Sequence, residues 1–113
     1  MLRHVILWKL KDDYTPGEKE QIKKTAKEQL EGLIDKVPSL MSISVHINGL
    51  PTSNCDMMLD SLFEDEEGLA LYAANPEHVH VGTTYLVPFV AGRTCLDFTD
   101  DEFCYETISS DLI

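Results

Sequence analysis

The sequence predicts one α+β domain in which a four-stranded antiparallel sheet carries its helices on a single face. Three observations predict it. The chain has 113 residues, 43% of them apolar, enough for one buried core. Strand-like stretches of period two are separated by two segments with the spacing and caps of helices. Their order is β–α–β–β–α–(α)–β, which is the ferredoxin-like split βαβ arrangement.

Leu2 to Lys11 reads as the first strand. Ile6, Trp8 and Leu10 fall on one side, Val5 and Leu7 on the other. Apolar residues on both sides mark a strand covered on both faces. Thr15-Pro16-Gly17-Glu18 is a capping box with proline at the first helical position. Ile22, Ala26, Leu30, Leu33, Ile34 and Val37 then form one apolar stripe, and Pro38 ends the helix.

Leu40 to Asn48 alternates, with Met41, Ile43, Val45 and Ile47 on one side. Asn48-Gly49 and Pro51 break the chain. Asp56 to Phe63 is a third strand with Met57, Leu59 and Phe63 on one face; Asp60 interrupts Met58 and Leu62 on the other. Asp65 caps a short second helix whose apolar side is Leu69, Tyr72 and Ala73. Asn75-Pro76 starts the chain again. From His78 to Val90 the signals conflict. Valine and threonine content favours a strand, while the cap at Asn75 and the spacing of Val79, Leu86, Phe89 and Val90 favour a helix. Arg93 to Thr99 is the last strand, and the domain is expected to span residues 1–99. Residues 100–113 form an acidic extension in which Phe103, Tyr105, Ile108 and Leu112 offer docking groups.

Nine basic residues against 20 acidic ones give a net charge of −11, which disfavours nucleic acid and anionic membrane surfaces as partners. The densest lysines, Lys19, Lys23, Lys24 and Lys27, are mixed with Glu18, Glu20 and Glu28 and read as a solvated helix face. No apolar run approaches the ~20 residues of a membrane span, and no export signal is read at the N-terminus. Cys55, Cys95 and Cys104 are odd in number and contain no CxxC pair, so reduced thiols and a cytoplasmic location are expected.

A sheet with helices on one face needs a cover for the other. A chain this short lacks a second layer of its own, so a homodimer with two sheets face to face is expected.

RHVILWKLK near the start, DMMLDSLFEDEEGLALY in the middle and NPEHV followed by a closing LDF resemble the stress-responsive A/B barrel domain family. The resemblance covers roughly residues 2 to 98. It implies a dimeric α+β barrel and a helical reading of the stretch after Asn75. The family includes stress-accumulating proteins without known chemistry. It also includes a plant polyketide cyclase whose Tyr and His match Tyr72 and His78, and the wider superfamily contains cofactor-independent monooxygenases and haem-degrading enzymes. The sequence departs from the common pattern at Asn75, where many members carry His, and at Cys55, where many carry Tyr.

Tyr72 and His78 are therefore the candidate catalytic pair. An imidazole moves protons near neutrality, and a phenol stabilises a developing enolate oxygen. Together they suit proton abstraction next to a carbonyl, as in a cyclase or isomerase. A structural reading stands beside this one: Tyr72 as a core aromatic and His78 as a helix-capping side chain. His4 shares a strand face with Ile6 and Trp8; with Tyr85 these are the expected pocket residues for a small apolar or carbonyl-containing ligand. His78 and His80, two apart on a helix, do not converge with each other or with His46 as metal ligands. Asp97, Asp100, Asp101 and Glu102 read as solvated rather than as a cation site. With no GxSxG, GxGxxG or P-loop, no nucleophile, nucleotide cofactor or metal is assigned. Three functions stay open: a ligand-binding or catalytic barrel, a non-catalytic stress or interaction protein whose dimer is the functional unit, and a cofactor-independent monooxygenase.

Overall fold

The computed structural model describes residues 1–100. The expectations for Asp101, Glu102, Phe103, Cys104, Tyr105, Ile108 and Leu112 lie outside the described residues. In chain order the elements are β1 (Leu2–Leu10), α1 (Pro16–Glu31), a 3-10 turn (Gly32–Asp35), β2 (Ser42–His46) and β3 (Met57–Phe63). Then come α2 (Glu66–Ala74), α3 (Pro76–Val81), a π turn (Gly82–Leu86) and β4 (Val90–Thr99). The sheet runs β2-β3-β1-β4 with every neighbouring pair antiparallel. This is the ferredoxin-like α+β fold expected from the element order.

Strand alternation sorts the sheet into two faces. On β1, Leu2, His4, Ile6, Trp8 and Leu10 are buried. Their register partners on β3 are Phe63, Ser61, Leu59 and Met57, all buried. Ala26, Leu30, Leu33 and Val37 close the core from above. The capping box is formed: the Glu18 amide donates to Thr15 Oγ1 at 3.2 Å, and the Thr15 amide donates to the Glu18 carboxylate at 2.9 Å.

Helix α1 also protects the edge strand β2. Lys27 Nζ donates to the Val45 carbonyl at 2.7 Å, and the Val45 amide donates to the Glu31 carboxylate at 2.9 Å. These groups satisfy backbone that an edge strand otherwise presents for pairing with another chain.

Among the described residues, nothing covers the opposite face. Val5 and Leu7 of β1, Met58 and Leu62 of β3, and Leu96 and Phe98 of β4 form an apolar patch there, with Leu96 63% exposed. Asp60, which interrupts the apolar pattern of β3, pairs with Arg3 Nη1 at 2.7 Å across the same face.

Several sequence expectations need correction. Leu33 is buried, but Ile34 is 40% exposed. The helix tightens into a 3-10 turn after Glu31, and the stripe loses its 3.6-residue phase there. Met41, Ala73 and Val79 are exposed rather than part of the core. Met41 precedes β2, so strand alternation does not hold it inward. Val81, not Val79, is the buried valine of α3. Pairing extends β4 back to Val90, and β1 stops at Leu10.

The ambiguous stretch after Asn75 is helical. The Asn75 carboxamide oxygen accepts from the Glu77 amide at 2.9 Å. A π turn then lets the chain reach Pro88 before β4 begins. Burial of Val81 and Leu86 against the core overrides the strand propensity of valine and threonine.

Candidate functional site

Between the helices and the β1–β4 half of the sheet lies a cleft of about 470 Å³. His4, Ile6 and Trp8 supply its floor. Tyr72 comes from α2 and His78 from α3; Leu86 and Val87 also line it. Arg93, Cys95 and Asp97 of β4 form the side that opens to solvent.

Tyr72 is 1% exposed, and its hydroxyl has no hydrogen-bond partner among the described residues. A buried phenol without a partner carries a desolvation cost of about 1–3 kcal/mol. Burial pushes its pKa up to about 12, so it remains a neutral hydrogen-bond donor through the physiological range. Its ring lies 5.1 Å from that of Phe63 and 4.2 Å from that of His78, measured between centroids.

His78 Nδ1 lies 3.2 Å from the carbonyl oxygen of Ala73. The carbonyl only accepts, so Nδ1 carries the proton and Nε2 is left with its lone pair. The contact ties the His78 side chain to the last turn of α2; it caps that helix, not the one on which His78 stands. Burial lowers the His78 pKa from its ordinary 6.5; the Ala73 contact opposes this, and the nearby charges of His4 and Arg93 add to it. The neutral imidazole is therefore the form present at neutral pH.

His4 is 7% exposed. Its Nδ1 meets the Asp97 carboxylate across the β1–β4 register. The ring stands 6.4 Å from both Phe63 and Tyr72. Its backbone carbonyl accepts from buried Ser61 Oγ at 3.1 Å.

The fold thus gathers five of the six residues singled out from sequence: His4, Ile6, Trp8, Tyr72 and His78 line one space. Tyr85 does not line it. It sits on the π turn, whose wider winding shifts the helical phase so that Gly82 and Leu86 face the cleft. The Tyr85 ring instead meets His80 edge to face at 6.4 Å. Sequence reasoning missed Arg93 and Cys95 and left Asp97 among the solvated acids. The usable signal was alternation: residues 93, 95 and 97 share one strand face, the face that pairs with Trp8, Ile6 and His4.

Residues 2–100 match the family described as the Stress Responsive A/B Barrel Domain. The chain belongs to this family. A comparison with curated proteins found no match.

Among solved structures, this A/B barrel chain is similar to a dimeric ferredoxin-like protein of unknown function from Bacteroides fragilis. The two are 32% identical, the match covers 86% of this chain and 93% of that one, and the TM-score is 0.81. A dimeric ferredoxin-like protein of unknown function from Thermobifida fusca is 28% identical over 86% of this chain and 88% of its own, with a TM-score of 0.69. A hydroxynitrile lyase from Passiflora edulis shares the fold at 13% identity, covering 89% of this chain and 94% of its own, with a TM-score of 0.71. Among the described residues, no helix is long and apolar enough to cross a membrane.

Proposed function

We propose that this A/B barrel protein is a homodimer whose cleft binds a small, largely apolar carbonyl compound and that Tyr72 and His78 exchange a proton with it. One observation carries the reading: a buried phenol with no partner among the described residues stands beside a neutral imidazole whose Nδ1 is taken up by the Ala73 carbonyl, and both line one cleft. The cleft volume of about 470 Å³ suits a small molecule, for which sites of about 300–1,000 Å³ are usual. The phenol donates to the carbonyl oxygen and stabilises charge as it develops there. The imidazole Nε2 takes the proton from the adjacent carbon. Leu30, Leu69, Leu86 and Trp8 supply the apolar walls. A fold shared with a hydroxynitrile lyase supports the idea by analogy only.

The dimer reading is supported by the apolar sheet face that no described residue covers and by the dimeric relatives. Six apolar side chains in one contiguous patch are what a second copy would cover.

The test is α-proton exchange. Aryl methyl ketones and cyclic ketones are incubated with protein in D2O and followed by NMR. Exchange above the buffer rate that disappears in both Tyr72→Phe and His78→Gln supports the proposal. Buffer-rate exchange throughout the panel counts against proton chemistry, and an absence of ligand-induced shifts at cleft residues removes the binding reading as well.

A further inference from the structure

Among the described residues, His4, Cys95 and Asp97 are a group of three potential metal ligands whose donor atoms all lie within 4.8 Å of one another. The pairing of β1 with β4 brings them together. Asp97 stands opposite His4, and Cys95 stands opposite Ile6 on the same face.

The spacing of the donors discriminates between ion classes. Cys95 Sγ lies 3.8 Å from His4 Nδ1 and 3.5 Å from an Asp97 oxygen. A tetrahedral zinc ion holds nitrogen at about 2.0–2.1 Å, sulfur at about 2.3 Å and oxygen at about 2.0–2.2 Å, which spaces the donors by roughly 3.3–3.6 Å. Two edges of the triangle are already close to that size. The third, between His4 and Asp97, is a hydrogen bond and opens when the ion replaces its proton.

We propose that His4 Nδ1, Cys95 Sγ and an Asp97 carboxylate oxygen form a binding site for a divalent ion of the zinc class, with the fourth position facing the cleft. A mixed nitrogen, sulfur and oxygen set selects such ions over magnesium or calcium, which favour oxygen ligands alone. His4 is pre-set for this role. It is buried, its backbone is held by Ser61, and its ring stands near Phe63 and Tyr72. Cys95 and Asp97 are exposed, which provides a route of entry. Partial desolvation by the cleft wall and the Asp97 carboxylate both raise the pKa of the exposed Cys95 thiol, while Arg93 lowers it. Binding takes up the thiolate and releases its proton.

This inference is independent of the carbonyl chemistry proposed above. The test uses the full chain, stripped with chelator and titrated with Co2+ alone. The expected result is a thiolate-to-cobalt charge-transfer band that saturates at one ion per chain and is displaced by Zn2+. Cys95→Ser should abolish the band, Asp97→Asn should weaken binding by at least about tenfold, and Cys55→Ser should leave both unchanged. Cys95 and Asp97 are exposed, so these variants retain the fold, which far-UV circular dichroism checks. No band, or an equal band in Cys95→Ser, would overturn the site. Ketone exchange measured with chelator present reads the Tyr72–His78 proposal separately.

Discussion

The ring of Tyr72 lies 4.2 Å from that of His78, centroid to centroid, with the planes tilted by 42°. One comes from α2 and the other from α3, and the Asn75-Pro76 junction between the helices sets their approach. The contact from His78 Nδ1 to the Ala73 carbonyl holds the imidazole in that orientation.

The His78 imidazole is expected to titrate below 6.5, because burial penalises its charged form. A histidine with a depressed folded pKa binds its proton more weakly than the unfolded chain does. Its contribution to stability is therefore present above pH 6.5 and lost as pH falls from 6.5 through the folded value. Proton–carbon NMR of the His78 ring across pH 4 to 8 measures the midpoint. A midpoint above 6.5 would contradict the burial argument.

Tyr72→Phe removes a hydroxyl that has no partner among the described residues. Stability should change by less than about 1 kcal/mol, or rise, since the desolvation cost goes with the group. Ketone proton exchange should fall by about 10²-fold. Urea denaturation and exchange kinetics measure the two separately. A stability loss above about 2 kcal/mol would mean that the hydroxyl holds the fold together.

Above pH 10 the raised Tyr72 pKa works the other way. The unfolded chain ionises first, so stability is lost as pH climbs from 10 towards about 12. Tyr72→Phe should flatten that decline, as followed by denaturation midpoints at alkaline pH.

Leu96→Glu places a charge in the centre of the uncovered sheet face, where the leucine is 63% exposed in the single chain. The chain should still fold but sediment as a monomer, whereas the unaltered protein should sediment as a dimer at micromolar concentration. A variant that stays dimeric would place the interface elsewhere.

Phe63→Ala takes away the side chain packed against Tyr72, at 5.1 Å between ring centroids, and should cost about 3–5 kcal/mol. Chemical denaturation gives the value. Exchange activity should also fall as Tyr72 loses its support.

The sequence by itself determined the local elements. The Thr15–Glu18 capping box, the Asp65 cap and the Asn75-Pro76 start each carry their instructions within a few residues. Alternation placed His4 with Ile6 and Trp8, because side-chain direction along a strand has a period of two. The family resemblance added Tyr72 and His78 and the helical reading of the stretch after Asn75, where Val and Thr content argued for a strand. Tertiary structure alone decided the rest. It buried Val81 and left Val79 in solvent, and it turned Ile34 out where a 3-10 turn broke the helical phase. It directed Tyr85 towards His80 and away from the cleft. It also set Asp97 and Cys95 beside His4, more than 90 residues away along the chain. Caps and periods act between neighbours in sequence, while a cleft is built from strand register and helix phase, which only packing across the whole sheet determines.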